Sequence, residues 1–341
     1  MDRGLSNKGK MEELEREPLE QALLAVYHRG SLLSDCAYLS LLEKVNRTLE
    51  SEGTTWRPNN AAGLPGGVVY LDSGLPALIV PDLHGRMDFL LSIFLGDQTD
   101  ALRGLGKGTL QVVCTGDGFH GEARVIHRWF GALEEYSHSF SSHDNMDREM
   151  IESLGVMEMI MLVKIAYPRL FHFLKGNHEN VMNECGGGNY PFMKFTNEGA
   201  MVKEYVEKFL GRAFLVSHSE PKRFFPLDEI AEYGRLAHVV EGLTWTDNGH
   251  AEEGSVRQMI ESYIGEEHRK KALYFGGHRP VVGMFNTRAE GQYVQIHNPN
   301  RFIVAAIGAE QEIELERDVI EIENITGGFE TAVNESSQNH I

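Results

Sequence analysis

Hydrophobic and polar positions along the chain fall into blocks with two different periods. Between residues 11 and 52 the apolar positions recur at helical spacing: Leu14, Leu19, Leu23, Leu24 and Tyr27, then Leu39, Leu41, Leu42 and Val45 after a break near Gly30. The connector WRPNNAAGLPGG, 56–67, is rich in turn residues. Beyond it, strands and helices alternate. VVYLD and ALIV read as strands, and DFLLSIFL follows the second. LQVVC reads as a strand, and ARVIHRWFGALEEY as a helix with an apolar face of Val125, Ile126, Trp129, Phe130 and Leu133. After SFSSHDN, a loop and cap, a Met-rich helix runs from about Met146 to Ala166, and its methionines are expected in the core. RLFHFL is the next strand, followed by a helix near 197–210 and then by AFLVSHSE, VVEGLTWTDN and ALYFGGHRP. YVQIHN and FIVAAIG read as a closing hairpin, IELERDVIEIEN as further strand, and TGGFETAVNESSQNHI as a polar, frayed end. Alternating elements with polar residues at strand ends predict an α/β fold whose site lies along one edge of its sheets.

Composition narrows the class. The 341 residues are 42% hydrophobic, enough for a sizeable core in one large or two ordinary domains. Fifty acidic against 32 basic residues leave a formal charge of −18, which repels phosphate backbones and disfavours non-specific nucleic-acid binding. A small anionic substrate can still bind where metal ions reverse the local field. Cys36, Cys114 and Cys185 are odd in number and widely spaced, which points to a reducing compartment and away from disulfides. MDRGLSNKGKMEELERE lacks an apolar h-region, so no signal peptide is expected. MIMLV is broken by Lys164, so no membrane span is expected either. The expectation is a soluble cytoplasmic protein.

The chemistry collects just after the strands. PDLHG gives Asp82 and His84, TGDG gives Asp117, KGNHE gives Asn177 and His178, and two later strands end in His218 and His278. In Asp-x-His on a strand end, the period of two places Asp82 and His84 on one side, where both can grip one ion. Carboxylates, an amide and imidazoles are mixed O/N donors that suit Mn, Fe or Zn, whereas Mg prefers oxygen alone. The two oxygens of Asp117 can bridge two ions, with Asn177, His218 and His278 completing the second site. Two ions about 3.5–4 Å apart can clamp a phosphoryl group. Each signal is weak alone; the ordered set of strand ends carries the argument.

These residues resemble the calcineurin-like metallophosphoesterases, and within them the phosphoprotein phosphatase (serine/threonine phosphatase) branch. That branch reads D-x-H-G, G-D-x-x-D-R-G, G-N-H-E, H-G-G-L-S-P, L-W-S-D and a single late histidine. This chain offers DLHG, GDGFHGE, GNHE, SHSEP, LTWTDN and GGHRP in the same order, from about residue 70 to 310. The resemblance implies a β-sandwich flanked by helices, with a dinuclear metal site at the strand ends. It places Asp82, His84 and Asp117 on the first metal, and Asp117, Asn177, His218 and His278 on the second. Two divalent transition metals follow, Mn preferred over Fe or Zn. His178 takes the place of the general acid that protonates the leaving oxygen while a metal-bridging hydroxide attacks a phosphate monoester in line. The implied organisation is an N-terminal helical extension over 1–60, a catalytic domain over 61–325 and a disordered tail over 326–341. The implied partner is a phosphorylated substrate, phosphoprotein by the branch; small phosphate esters or dinucleoside polyphosphates are the alternative. A pseudo-phosphatase that binds metal or phosphate without turnover is a second alternative.

The departures are local. In GDGFHGE, His120 stands where the branch has the Asp that pairs with the catalytic histidine, and Gly121 where it has the phosphate-gripping Arg. An Asp beside His178 would raise its pKa, whereas a neighbouring imidazolium would lower it. His120 is therefore open to another role: a hydrogen bond to phosphate, an alternative acid, or an added ligand. Glu122 is a source of the missing negative charge. Arg86, Arg124, Arg279 and Arg301 are candidates for the lost grip, with Arg279 and Arg301 preferred because both adjoin matched motifs. Sixty positions separate Asp117 from Asn177, about twice the usual spacing, so 123–168 reads as an insertion, decorative or a lid.

Overall fold

A computed structural model gives the fold over residues 18–138, 140–179, 217–264, 272–308 and 313–328, the residues described below. The helix expected near 197–210, Cys185, the start of the AFLVSHSE segment and the chain beyond 328 lie outside them. The chain opens with helices over 18–29 (α1) and Asp35–Glu50 (α2). Strand β1 (Ala77–Val80), helices α3 (Met87–Leu95) and α4 (Ala101–Lys107), and strand β2 (Gln111–Cys114) follow. Helices α5 (Ile126–Ser137) and α6 (Asp144–Ala166) then lead to β3 (Phe171–Phe173). Next come α7 (Leu227–Ala231), α8 (Ala237–Thr244), α9 (Ser255–Tyr263) and strands β4 (Tyr274–Gly276), β5 (Asn286–Arg288) and β6 (Tyr293–Gln295). Strand β7 (Ile303–Ile307), the short helix α10 (Leu315–Asp318) and β8 (Val319–Glu321) close the fold.

Two sheets form, a five-stranded one in the order β3-β2-β1-β7-β8 and a three-stranded one in the order β4-β6-β5. β1, β2 and β3 run parallel, so their C-terminal ends open on one edge. β4 and β6 are also parallel. Ile79, Phe275, Val294, Ile296, Ile303 and Ala305 pack the two sheets together. The outer face of the large sheet buries Val112 and Phe171 with Leu42, Phe94, Val156 and Ile160 from the helices. On the small sheet, Tyr293 packs on Val256 and Ile260 of α9. The result is a β-sandwich flanked by helices, driven by burial of apolar faces on both sides of each sheet. Among the described residues no helix is long and apolar enough to cross a membrane.

Three elements differ from the pattern reading. VVYLD forms no strand: Val68 is buried with Phe225 and Ile230, while Tyr70 and Leu71 face solvent, and the Tyr70 N–H bonds the Trp56 carbonyl. YVQIHN and FIVAAIG are not a hairpin. β6 pairs with β4 and β5 while β7 pairs with β1 and β8, and the HNPNR turn crosses from one sheet to the other. Both runs are apolar because they face each other across the sandwich. The start of IELERDVIEIEN makes a helical turn, α10, before β8.

The methionines of α6 lie in the core, as expected: Met146, Met150, Met157, Met159 and Met161 are all buried. The helix packs inside the main hydrophobic cluster. The apolar face of α5 is different, since Phe130 and Leu133 are 63% and 64% exposed.

Candidate metal centre

Side chains from the ends of both sheets converge on one buried centre. In-register parallel pairing sets Val80 opposite Cys114 and Cys114 opposite Phe173, which brings the loops after β1, β2 and β3 to the same level. The first two loops are laced together: the His84 N–H donates to the Asp117 carbonyl at 2.6 Å and the Gly85 N–H to the Gly118 carbonyl at 2.8 Å. The backbone is unusual here. His84, Asp117, His120 and His278 all have positive φ, between 44° and 70°, a conformation that non-glycine residues seldom adopt and that collects at functional sites. Two glycines permit the close approach. A Cβ on Gly176 would collide with the Asp117 carboxylate, and one on Gly277 with that of Asp82.

The Asp117 carboxylate lies between two sets of donors. Its Oδ2 is 3.7 Å from His84 Nε2 and 3.2 Å from His218 Nε2. Asp82 is fully buried; its Oδ1 accepts from Thr115 Oγ1 at 3.0 Å and its Oδ2 from the His278 N–H at 2.9 Å. Asn177 Oδ1 is 2.7 Å from His218 Nε2 and 2.9 Å from His278 Nδ1. Three groups have ligand atoms mutually within 4.8 Å: Asp82, His84 and His297; His84, Asp117 and His178; Asp82, Asp117 and His218. The Nδ1 atoms of His178, His218 and His297 are buried with no hydrogen-bond partner among the described residues, although buried polar atoms are ordinarily paired. Mixed carboxylate and imidazole donors gathered in one buried centre fit transition-metal ions.

Electrostatics agree. Burial disfavours charge on His218, yet Asp117 and Asp82 outweigh it and raise the imidazole to about 9 in the metal-free chain. Burial would likewise raise the Asp117 carboxyl, but His218 and His178 pull it well below its ordinary range. The centre thus places a positive charge where a cation would sit.

No family model and no curated protein matches the sequence. Among solved structures the chain is similar to a protein serine/threonine phosphatase from Saccharomyces cerevisiae with similarity to human phosphatase PP5. That likeness has a TM-score of 0.53 over 89% of this chain and 95% of that chain, at 14% identity. The fold is that of a serine/threonine phosphatase. In this phosphatase fold Asp82, His84, Asp117, Asn177, His218 and His278 all meet.

The divergent FHGE half of the turn is held by the helices between β2 and β3. The His120 N–H donates to Ser153 Oγ at 3.1 Å and the Gly121 N–H to Glu149 Oε1 at 2.5 Å, both on α6. Trp129 Nε1 of α5 donates to the Gly121 carbonyl at 2.6 Å. Arg128 joins Glu149 and Glu152. The His120 ring stacks on that of His178 at 4.6 Å and 12°, with Trp129 on it at 4.3 Å. Burial, then the neighbouring His178 and His84, lower the His120 imidazole to about 3, so it is neutral at physiological pH.

The arginines divide. Arg86 is buried, and its guanidinium donates to the carbonyls of Leu83, Asn298, Arg301 and Asp82, so it braces the loops. Arg301 pairs with Glu321 on β8. Arg279 pairs with Asp247, whose Oδ1 is also 3.2 Å from His278 Nε2. Arg124 lies 3.3 Å from the His84 carbonyl and 2.6 Å from Glu152. His143 and Asp147 pair on the outer end of α6.

Two acidic residues and one histidine complete the centre. Glu179 accepts the N–H groups of Asp117 and Gly176 on one oxygen and that of Gly118 on the other. Glu122 Oε1 is 3.3 Å from His84 Nε2, and its Oε2 is 2.9 Å from His297 Nε2. His297 was not among the residues singled out from the sequence. It follows a strand just as the others do, and reading YVQIHN as a hairpin arm hid that signal.

Proposed function

We propose that the protein is a two-metal phosphoesterase that hydrolyses phosphate monoesters, with phosphoproteins as its substrate class. The observation that carries this reading is the meeting of Asp82, His84, Asp117, Asn177, His218 and His278 in one buried centre at the strand ends of a phosphatase fold. In this reading Asp82, His84 and Asp117 hold one ion, and Asp117, Asn177, His218 and His278 hold the other. Two divalent ions, Mn, Fe or Zn, supply Lewis-acid polarisation of the phosphoryl group and a nucleophile at neutral pH.

The protein's own groups do the rest. His178 is 20% exposed, with its Nε2 turned to the centre 4.0 Å from Asp117 Oδ2, and it holds the proton for the leaving oxygen. Its N–H donates to Asp117 Oδ1 at 2.8 Å, which fixes the residue to the turn. His120, neutral and stacked, acts as a positioning residue for the His178 ring; positive charge from bound metal lowers its pKa further. Arg124 beside His84 and Arg279 beside His278 flank the centre and are the side chains proposed to grip phosphate.

The test is an assay with p-nitrophenyl phosphate, a phosphopeptide and a dinucleoside polyphosphate. Turnover should require Mn after chelation and fall to background in Asp117→Asn, with the phosphopeptide favoured. Arg124→Ala and Arg279→Ala should raise KM more than they lower kcat. A folded, metal-loaded wild type without turnover on any of the three substrates rules the enzyme reading out.

A further inference from the structure

His297 is wholly buried and belongs to neither of the two ion-holding sets proposed for the phosphoesterase. Its position follows from strand register. β4 and β6 run parallel with Gly276 opposite Gln295, so two residues further on His297 emerges level with His278. The turn is firm: the Val281 N–H donates to the His297 carbonyl at 2.8 Å, and Asn298 Nδ2 to the Gly283 carbonyl at 3.1 Å. The two ring nitrogens face different partners. Nε2 is 2.9 Å from Glu122 Oε2, so with the carboxylate accepting, Nε2 carries the hydrogen and Nδ1 a lone pair. Nδ1 points to Asp82 Oδ2 at 3.9 Å, too far for a hydrogen bond, and has no other partner among the described residues.

We propose that His297 is a fourth protein ligand of the first metal, oriented by Glu122, so that Asp82, His84, Asp117 and His297 surround that ion. The inference rests on the two-metal reading. Ligand atoms of Asp82, His84 and His297 lie within 4.8 Å of one another. Metal–ligand bonds of about 2.0–2.2 Å put neighbouring donors roughly 3–4 Å apart, so small side-chain movements close the set on one ion. A carboxylate on the far nitrogen is how metal-bound imidazoles are commonly fixed in tautomer and orientation. A histidine kept for packing alone would have both nitrogens satisfied. Glu122 comes from the half of the GDGFHGE turn that departs from the phosphatase pattern, which gives that departure a task. With His297 the first ion has four protein donors, as many as the second; without it the first has three.

The test starts from full-length protein freed of metal by chelator and titrates Mn²⁺, reading free Mn²⁺ by electron paramagnetic resonance, and Co²⁺, reading absorption and proton NMR. Wild type should bind two ions. His297→Ala should weaken one site by about 100-fold and spare the other, and Glu122→Gln should weaken the same site by about 10-fold. The two-cobalt protein should show contact-shifted ring signals from four histidines. Wild-type affinities at both sites in folded His297→Ala overturn the proposal. If that variant does not fold, the wild-type spectrum decides: three shifted histidines overturn it. A wild type that binds no metal overturns the two-metal reading itself, a result distinct from intact binding that ignores His297.

Discussion

Glu179 touches no reacting group, yet it gathers the N–H groups of Asp117, Gly118 and Gly176 on its two carboxylate oxygens. Burial and the charge of Asp117 raise its carboxyl to about 7. Glu179→Gln replaces one acceptor oxygen with a donor that faces backbone donors. The expected costs are about 1–3 kcal/mol of stability and a metal affinity lowered about 10- to 100-fold. Denaturant unfolding and a Mn titration check both, and wild-type values would show that Glu179 does not hold the turn. His120 gives a second case. A carboxylate at this position, beside a ring now 4.6 Å away, favours the imidazolium form of His178. In His120→Asp the alkaline limb of the pH–rate profile should therefore move to higher pH. An unmoved limb separates His120 from the acid. His120→Phe, which keeps a stacking ring, should leave the limb in place.

At the scale of elements, α6 is where distant parts of the chain meet. Its start holds the site turn through Glu149 and Ser153, while Glu158 pairs with Arg29 of α1 and Lys164 with Glu52 just after α2. Burial pushes the Lys164 ammonium down from 10.5 to about 8 against the pull of Glu52. Between those values the unfolded chain holds a proton that native Lys164 gives up. The residue's contribution to stability is therefore lowest below pH 8 and rises with pH towards 10.5, by about 3 kcal/mol in all. Urea unfolding at about pH 7 and pH 10 should show wild type gaining on Lys164→Met; a constant difference would mean that the ammonium is not depressed. The helix itself is legible in the sequence as a Met-rich periodic run, but its partners are not, since Glu149 meets Gly121 only by tertiary packing. Asp82, His84, Asp117, Asn177, His218 and His278 are legible because each follows an apolar run in the sequence. His297 follows one too, but β6 and β7 carry the same apolar signature whether they pair with each other or face across a sandwich. Positive φ at His84, Asp117 and His278 leaves no trace in residue type, since these are not glycines.

At the scale of the whole molecule, the centre ties the two sheets together. Asp82, His84, Asp117 and Asn177 come from the large sheet, while His278 and His297 come from the small one. The sheets also share an apolar interface around Ile79, Val294 and Ile303, so they stay together without metal. Metal adds a second connection at the edge, where buried carboxylates and imidazoles otherwise face one another. Two ions held at a hundredfold over Kd contribute about 2.7 kcal/mol each, which for a chain of this length corresponds to a Tm shift on the order of 5–10 °C. Chelation should lower Tm by that amount, and Mn should restore it. Hydrogen exchange gives the sharper measurement. Removing metal should release amides after β1, β2 and β3 together with those after β4 and β6, because the donors on both sides lose the same partner. Amides inside the sandwich, at Val112 or Val304, should keep their protection. Loss confined to one sheet would show that the ions sit on that side alone, and that the histidines of the small sheet do not reach them.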